Sequence, residues 1–235
     1  MTAARPHRVV NRLIQSLPPA QRKRLLAHCQ PVQLTFGEIL CEPGRPFGHV
    51  YFPLTGFISL VAAVTRHEPL EMGLIGNEGV LGATLALDVD VVPLRGIVQG
   101  SGTALRVAAS WFRLELLRSP ALLRVLKHYL YVLMAQLAQT AACTRFHEVD
   151  ARLARWLLMT HDRAHADHFH LTHKFLAAML GVRRSGVTIA AGDLQRRELI
   201  SYTRGEIHVL NRTGLEAASC ECYGAVREDY WRLLG

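Results

Sequence analysis

The 235 residues hold no run of 18 apolar side chains, so no membrane-spanning helix is expected. The N-terminus, MTAARPHRVVNRLIQSLPPAQRKR, has no continuous apolar core, so no secretory signal is expected either. Cysteine is scarce: five residues, odd in number and scattered, fit a reduced cytoplasm better than a disulfide scaffold. Acidic residues are short as well. The 19 Asp and Glu face 27 Lys and Arg, and a net charge of +8 favours a polyanionic partner without naming one. No GxGxxG or Walker pattern occurs, which removes the common nucleotide loops. No nucleophile–base set stands out, so an enzyme is not expected.

What is present centres on Leu171–Ile200, LTHKFLAAMLGVRRSGVTIAAGDLQRRELI. Leu176, Met179 and Leu180 repeat at helical spacing. Gly181 stands where that helix must stop, because glycine takes a left-handed cap without strain. Val182 turns inward, and a second helix is expected from about Arg184 to Arg196. Its inward positions are Val187, Ala190, Ala191 and Leu194; Arg183, Arg184, Ser185, Thr188, Gln195, Arg196 and Arg197 point outward. Ala177 is small, as a steep helix crossing requires. The pattern is that of a helix-turn-helix, whose second helix enters the major groove of DNA. An ordinary helical hairpin with a basic rim would share much of it. Next, SYTRGEIHVL sets Arg204-Gly205 at a turn between two short alternating runs. That is a hairpin signal, and a hairpin here makes a wing that places Arg204 near a phosphate.

Residues 171–210, and the order of the segments before them, resemble the Crp/Fnr family, the cyclic-AMP receptor protein and its relatives. The resemblance is specific over about 149–218 and looser over 30–148. It implies an α+β chain in three parts: a cyclic-nucleotide-binding-like β-roll sensor over 1–112, a dimerisation helix over 113–146, and a winged helix-turn-helix over 147–235. It implies a cytoplasmic homodimeric regulator on palindromic promoter sites, with double-stranded DNA and RNA polymerase as partners. By resemblance, the base-facing positions fall on Arg184, Ser185 and Ile189; Thr172, Arg183, Thr188, Arg196 and Arg204 complete the expected DNA-contacting set. Arg184 could bond guanine as a bidentate donor, and Thr188 and Ile189 could touch a thymine methyl. Ile189 stands where cyclic-AMP receptor proteins carry arginine, so a different target sequence is expected. Arg183 replaces a frequent serine cap at a cost of ~1 kcal/mol. Gly192 costs ~1 kcal/mol against alanine within the helix, with close packing as one reason for it.

From about Val32 to Val107, short apolar runs alternate with glycine or proline (VQLTF, EILCEPG, HVYFPLTG, FISLVAAV, EMGLIG, RGIVQGSG, TALRV), as in a compact β-roll. Gly37, Gly44, Gly48, Gly56, Gly76 and Gly102 read as turn glycines. Cyclic-nucleotide binders of the family carry Gly-Glu and, roughly ten residues on, an arginine followed by Ser or Thr that neutralises the phosphate. Here the stretch is IGNEGVLGATLALDVDVVPLRGIVQ. Glu78 sits in Asn-Glu-Gly, Asp88 and Asp90 bring the wrong charge, and Arg95 comes late and precedes Gly96. Control by cyclic AMP or cyclic GMP is therefore not expected, and the cofactor is left open. Only Cys29 and Cys41 lie in the first hundred residues, so the family's iron–sulfur set is absent there. His49 or His67 could serve a haem in principle, but surface or turn positions suit them better. No His-x-His cluster falls in the strand-rich part, which argues against a metal-dependent oxygenase.

Residues 8–29 read as a short helix pair broken at Pro18-Pro19. Ser110 can cap a short helix, and Pro120 can start a long one. Along the long helix, Leu123, Leu126, Leu130, Leu133, Leu137, Thr140 and Thr144 form an a/d seam, expected to meet its twin in a homodimer. Val149–Asp162 is amphipathic, with Leu153, Trp156, Leu157 and Leu158 inward. RAHADHFHLTH reads as a polar link; His161, His165, His168, His170 and His173 match no metal-ligand spacing, and no metal is expected. The tail is expected as one helix from a Thr213–Glu216 capping box to about Leu234, on which Cys220 and Cys222 would diverge. Two other functions share these features: a cyclic-nucleotide-responsive regulator with an atypical pocket, and a non-DNA-binding adaptor whose basic helix holds an acidic protein.

Overall fold

The computed structural model describes residues 10–66, 68–164 and 166–235. The chain opens with α1 (Arg12–Gln15) and α2 (Pro19–Leu26). Pro19 takes the first helical position, where its missing N–H costs nothing, so the expected break falls as read. Residues 8 and 9 of that pair lie outside the described residues, as does His67. The Asn11 side chain caps α1 and also donates to the carbonyls of Pro53 and Gly79, tying the entry to the strands that follow.

Those strands are β1 (Gln30–Leu34), β2 (Ile39–Cys41), β3 (His49–Pro53), β4 (Phe57–Ala62), β5 (Leu70–Ile75), β6 (Arg95–Gly100) and β7 (Gly102–Ala108). They form two antiparallel sheets, ordered β1-β7-β3 and β2-β6-β4-β5. Val50, Phe52, Ile58, Leu81, Val98 and Phe112 fill the roll between them. Of the glycines read as turn positions, Gly37, Gly44 and Gly56 are left-handed, whereas Gly48, Gly76 and Gly102 are not. Gly102 serves a close approach instead: a Cβ there would lie 2.2 Å from the Thr55 carbonyl oxygen.

Two helices leave the roll, α3 (Ala109–Arg118) and α4 (Pro120–Phe146). Ser110 lies inside α3 rather than capping it; Ala108 holds the cap position and no side chain caps the helix. Along α4, Leu122, Leu126, Tyr129, Val132 and Gln136 are buried. The Gln136 amide accepts from Leu74 N at 3.1 Å and donates to Leu74 O at 3.2 Å, pairing with β5 as a further strand would. This contact fixes the rotation of α4. Leu126 is fully buried in its own chain, and Leu123, Leu130, Leu133 and Leu137 are half-buried. Tyr131, Met134 and Ala138 are left exposed on the outer face.

The C-terminal part comprises α5 (Val149–Ala164), β8 (His168–His170), α6 (His173–Leu180), α7 (Arg184–Arg196), β9 (Ile200–Thr203), β10 (Glu206–Val209), α8 (Arg212–Ala218) and α9 (Cys222–Leu234). The segment expected as a polar link supplies β8, which pairs with β10 in a sheet ordered β8-β10-β9. Buried Phe169 between two outward histidines gives it a strand's alternation. His165 lies outside the described residues. The other histidines of the segment serve separate partners: His161 meets Asp167 at 2.7 Å, His170 meets Glu206 at 2.6 Å, and His168 stacks on His208.

The tail also departs from expectation. Asn211 caps α8, its side chain accepting from Gly214 N at 2.8 Å, and Glu216 bonds Arg212 instead of closing a capping box. The helix then breaks at Ser219–Glu221, leaving Cys220 in the break. Cys220 and Cys222 therefore do not diverge as they would on one helix; both face the end of α4.

Roll and C-terminal part meet across β5 and α5. Trp156 Nε1 donates to Glu71 Oε1 at 2.7 Å, Arg163 pairs with Glu78 at 2.7 Å, and Gln99 Nε2 approaches Met179 Sδ at 2.9 Å.

Candidate nucleic-acid interface

α6 and α7 are set against each other by local chemistry at each end. Thr172 Oγ1 accepts from Phe175 N at 3.2 Å and caps α6. Gly181, with φ 64°, ends it in the left-handed region, and its N–H bonds the Ala178 carbonyl at 3.1 Å. A buried arginine that sequence reasoning missed completes the stop: Arg152 of α5 donates to the Leu180 carbonyl. Its positive charge sits at a helix C-terminus, where the dipole favours it. Leu176, Met179 and Leu180 of α6 and Val187, Ala190, Ala191 and Leu194 of α7 are all buried in one core with Leu153, Leu157 and Leu158 of α5.

Burying that face leaves the opposite face of α7 open. Arg183, Arg184, Ser185, Thr188, Ile189, Gln195, Arg196 and Arg197 are exposed or half-exposed along it, as expected. Ile189 is 73% exposed, which is unusual for a residue whose burial would be favourable and fits a surface meant to be covered. Arg183 holds the cap position without a side-chain bond, as expected. Gly192 is exposed with nothing within 4 Å of a Cβ built on it, so close packing inside the protein does not explain it.

Thr188 is less free than its exposure suggests. Its hydroxyl lies 3.0 Å from the Arg184 carbonyl oxygen and 2.9 Å from His173 Nδ1. His173 in turn stacks on Tyr202, with ring centroids 4.4 Å apart. Burial first, and Arg184 second, hold the His173 imidazole below its usual range, so it supports the helix without adding charge. Tyr202 N donates to Gln195 Oε1 at 2.8 Å, and its hydroxyl donates to the Leu171 carbonyl at 3.2 Å. Thr188, His173, Tyr202 and Gln195 thus join α7 to α6 and to the hairpin. His173 and Tyr202 were absent from the expected set; their ring spacing is set by tertiary packing, which periodicity does not carry.

The hairpin turns on Arg204 and Gly205, with φ of 53° and 91°. Positive φ at both central residues matches the twist of the flanking strands. Arg204 is exposed at its tip. Among the described residues, no ion pair neutralises Arg183, Arg184 or Arg204, whereas Arg196 and Arg197 share Asp193 at 2.9 and 3.5 Å. Arg196 therefore brings a weaker field than Arg183, Arg184 or Arg204.

In the roll, the stretch compared above with a phosphate cassette is occupied by the protein's own side chains. Glu78 pairs with Arg163 and accepts from Gly76 N. Arg95 pairs with Glu42 at 3.0 Å, and Asp90 pairs with Arg113 at 2.7 Å. Residues 77–94 contain no lysine or arginine.

Residues 151–218 match the Crp-like helix-turn-helix domain family. No curated protein matches the chain. Solved structures do. The regulator CLP of Xanthomonas campestris, described as c-di-GMP-responsive, is 18% identical, with 82% of this chain and 99% of that chain covered at a TM-score of 0.65. FixK2 of Bradyrhizobium japonicum is 15% identical, covering 82% and 98% at 0.69. TTHA1359 of Thermus thermophilus, a transcriptional regulator of the CRP/FNR family, is 22% identical, covering 81% and 98% at 0.66. At these identities the likeness establishes the fold.

Proposed function

The chain carries a Crp-like helix-turn-helix domain on the α+β fold of the Crp/Fnr transcription regulators, and from this premise we propose that it binds palindromic promoter DNA as a homodimer. The observation that carries the proposal is the outer face of α7. Arg184, Ser185 and Ile189 stand exposed on one helix face, flanked by the unneutralised Arg183 and by Arg204 at the hairpin tip. Arg184, Ser185 and Ile189 read bases; Arg183, Arg204 and Thr172 lie where phosphates pass; Thr188 and Arg196 contribute less, being engaged by His173 and Asp193.

The homodimer forms through α4. The leucines expected to meet their twin are turned toward the roll, so the seam falls on the exposed Tyr131, Met134 and Ala138. Such a two-fold axis presents two α7 helices to successive major grooves. We take the sensor unit to close at Ser119, ahead of α4, because residue 112 lies inside α3.

The sensor does not answer to cyclic AMP. The 77–94 stretch itself offers a cyclic phosphate no cation, the arginines that reach it, Arg163 and Arg113, are paired with its own Glu78 and Asp90, and Arg95 is paired with Glu42. The deciding experiment is selection of duplexes from a random pool by the purified protein, with and without cyclic AMP. A two-fold symmetric motif with half-sites about one helical turn apart, enriched equally in both arms, is the expected result. Enrichment only with the nucleotide would refute the sensor argument. Binding that is salt-sensitive but selects no motif would leave the adaptor or an inactive form awaiting its effector.

A further inference from the structure

Three cysteines and one histidine, brought from two distant stretches of sequence, converge where the long helix ends. Cys143 lies in the last turn of α4, and His147 directly follows that helix. Cys220 occupies the break between α8 and α9, and Cys222 is the first residue of α9. The thiols are buried and the imidazole is half-buried, and all four donor atoms lie within 4.8 Å of one another. They form a cluster apart from both hydrophobic cores.

The distances discriminate between explanations. Cys143 Sγ lies 3.6 Å from Cys220 Sγ, and His147 Nδ1 lies 3.4 Å from Cys222 Sγ. Around one tetrahedral ion with zinc-like bond lengths, two thiolates sit roughly 3.8 Å apart, and a thiolate and an imidazole nitrogen roughly 3.5 Å apart. A disulfide would need about 2.05 Å. The surroundings also suit a metal. His147 turns Nδ1 to the sulfurs and Nε2 to Glu221 Oε1 at 3.1 Å, the carboxylate pairing that orients a ligating imidazole. Gln139 Nε2 donates to Cys222 Sγ at 2.9 Å. Arg152 and Arg155 of α5 bring positive charge to the sulfurs.

We propose that Cys143, His147, Cys220 and Cys222 form a Cys3His site that holds one zinc ion. Binding expels the three thiol protons to water and leaves a centre of one net negative charge, faced by the two arginines. Four protein ligands close the coordination shell, so the ion is structural and carries no bound water. It clamps the exit of α4 to the start of α9, and so fixes the C-terminal part on the helix proposed to pair the two copies.

The test uses the full-length reduced protein, purified without chelator and assayed for metal by mass spectrometry. One zinc per chain is expected. It should be lost in Cys220→Ser/Cys222→Ser and retained in Cys29→Ser, which lies elsewhere. His147→Cys should keep the ion, since four thiolates also hold zinc, whereas His147→Ala should not. Glu221→Gln should bind roughly ten- to a hundredfold more weakly. Because a ligand variant could simply misfold, cobalt is titrated into the metal-free wild-type chain as a second measurement. Tetrahedral thiolate absorption that zinc displaces is expected. Zinc content unchanged in the double variant, no cobalt spectrum in the reduced wild type, iron in place of zinc, or a Cys143–Cys220 disulfide in protein isolated without oxygen would each overturn the proposal.

Discussion

Raising the pH from about 5 to about 8 should loosen the joint between the roll and α5, and Glu71 is the reason. This carboxyl is buried on β5, where Ser59 Oγ and Trp156 Nε1 both meet it at 2.7 Å. Burial pushes it up to about 7; the bonds from Ser59 and Trp156 and the charges of Arg163 and Arg155 oppose that push without cancelling it. An acid with a raised folded value contributes stability that is fully present below its ordinary 4.5 and is lost as the pH rises through about 7. At about 1.4 kcal/mol per tenfold change in proton affinity, the loss is roughly 3 kcal/mol. Glu71→Gln keeps an acceptor for the Trp156 indole and cannot ionise. Urea unfolding of wild type and variant across this range, followed by indole fluorescence, isolates the carboxyl from the many histidines that titrate in both. The wild type should lose roughly 3 kcal/mol more than the variant. Parallel curves would refute the assignment of a neutral Glu71 to the joint.

Gly192→Ala should raise stability by up to ~1 kcal/mol, since a Cβ there meets open space and glycine weakens a helix; a thermal melt checks this, and any loss of DNA affinity in the same variant would mean that the glycine admits the DNA backbone. Tyr131→Glu with Met134→Glu should give monomers in light scattering. Leu126→Ala should instead destabilise the chain by roughly 2–5 kcal/mol, because that side chain fills its own core. Arg184→Ala should cost ~1–3 kcal/mol of binding, concentrated at one base position of the selected motif; an equal loss on all sequences would make Arg184 a phosphate contact.

The helix-turn-helix was legible because its signals are local. Gly181 ends α6 and Arg204-Gly205 closes the hairpin, each through the local backbone, while the Thr172 cap on α6 was not read. The strands of the roll were legible for the same reason, through short runs and turn residues. The rotation of α4 was not. Leu122, Leu126, Tyr129, Val132 and Gln136 repeat at nearly the same spacing as the leucine seam and share Leu126 with it, so the choice between the two stripes rests on tertiary contacts such as that of Gln136 with Leu74. The convergence of Cys143 with Cys220 and Cys222 was invisible for a further reason: a continuous helix would have pointed the last two apart, and the break at Ser219–Glu221 carries no glycine or proline to announce it.

The bond between Gln136 and Leu74 also governs how the protein behaves in a crowd. β5 is the outermost strand of its sheet, and an outermost strand offers free N–H and C=O groups to any extended segment that arrives. At Leu74 both groups are already taken by one side-chain amide, so an incoming strand finds that rung filled. The long helix therefore acts as a stopper on the sheet before it can act as anything else. A nascent chain whose roll has formed but whose α4 has not yet docked is the species in which β5 is open to self-association.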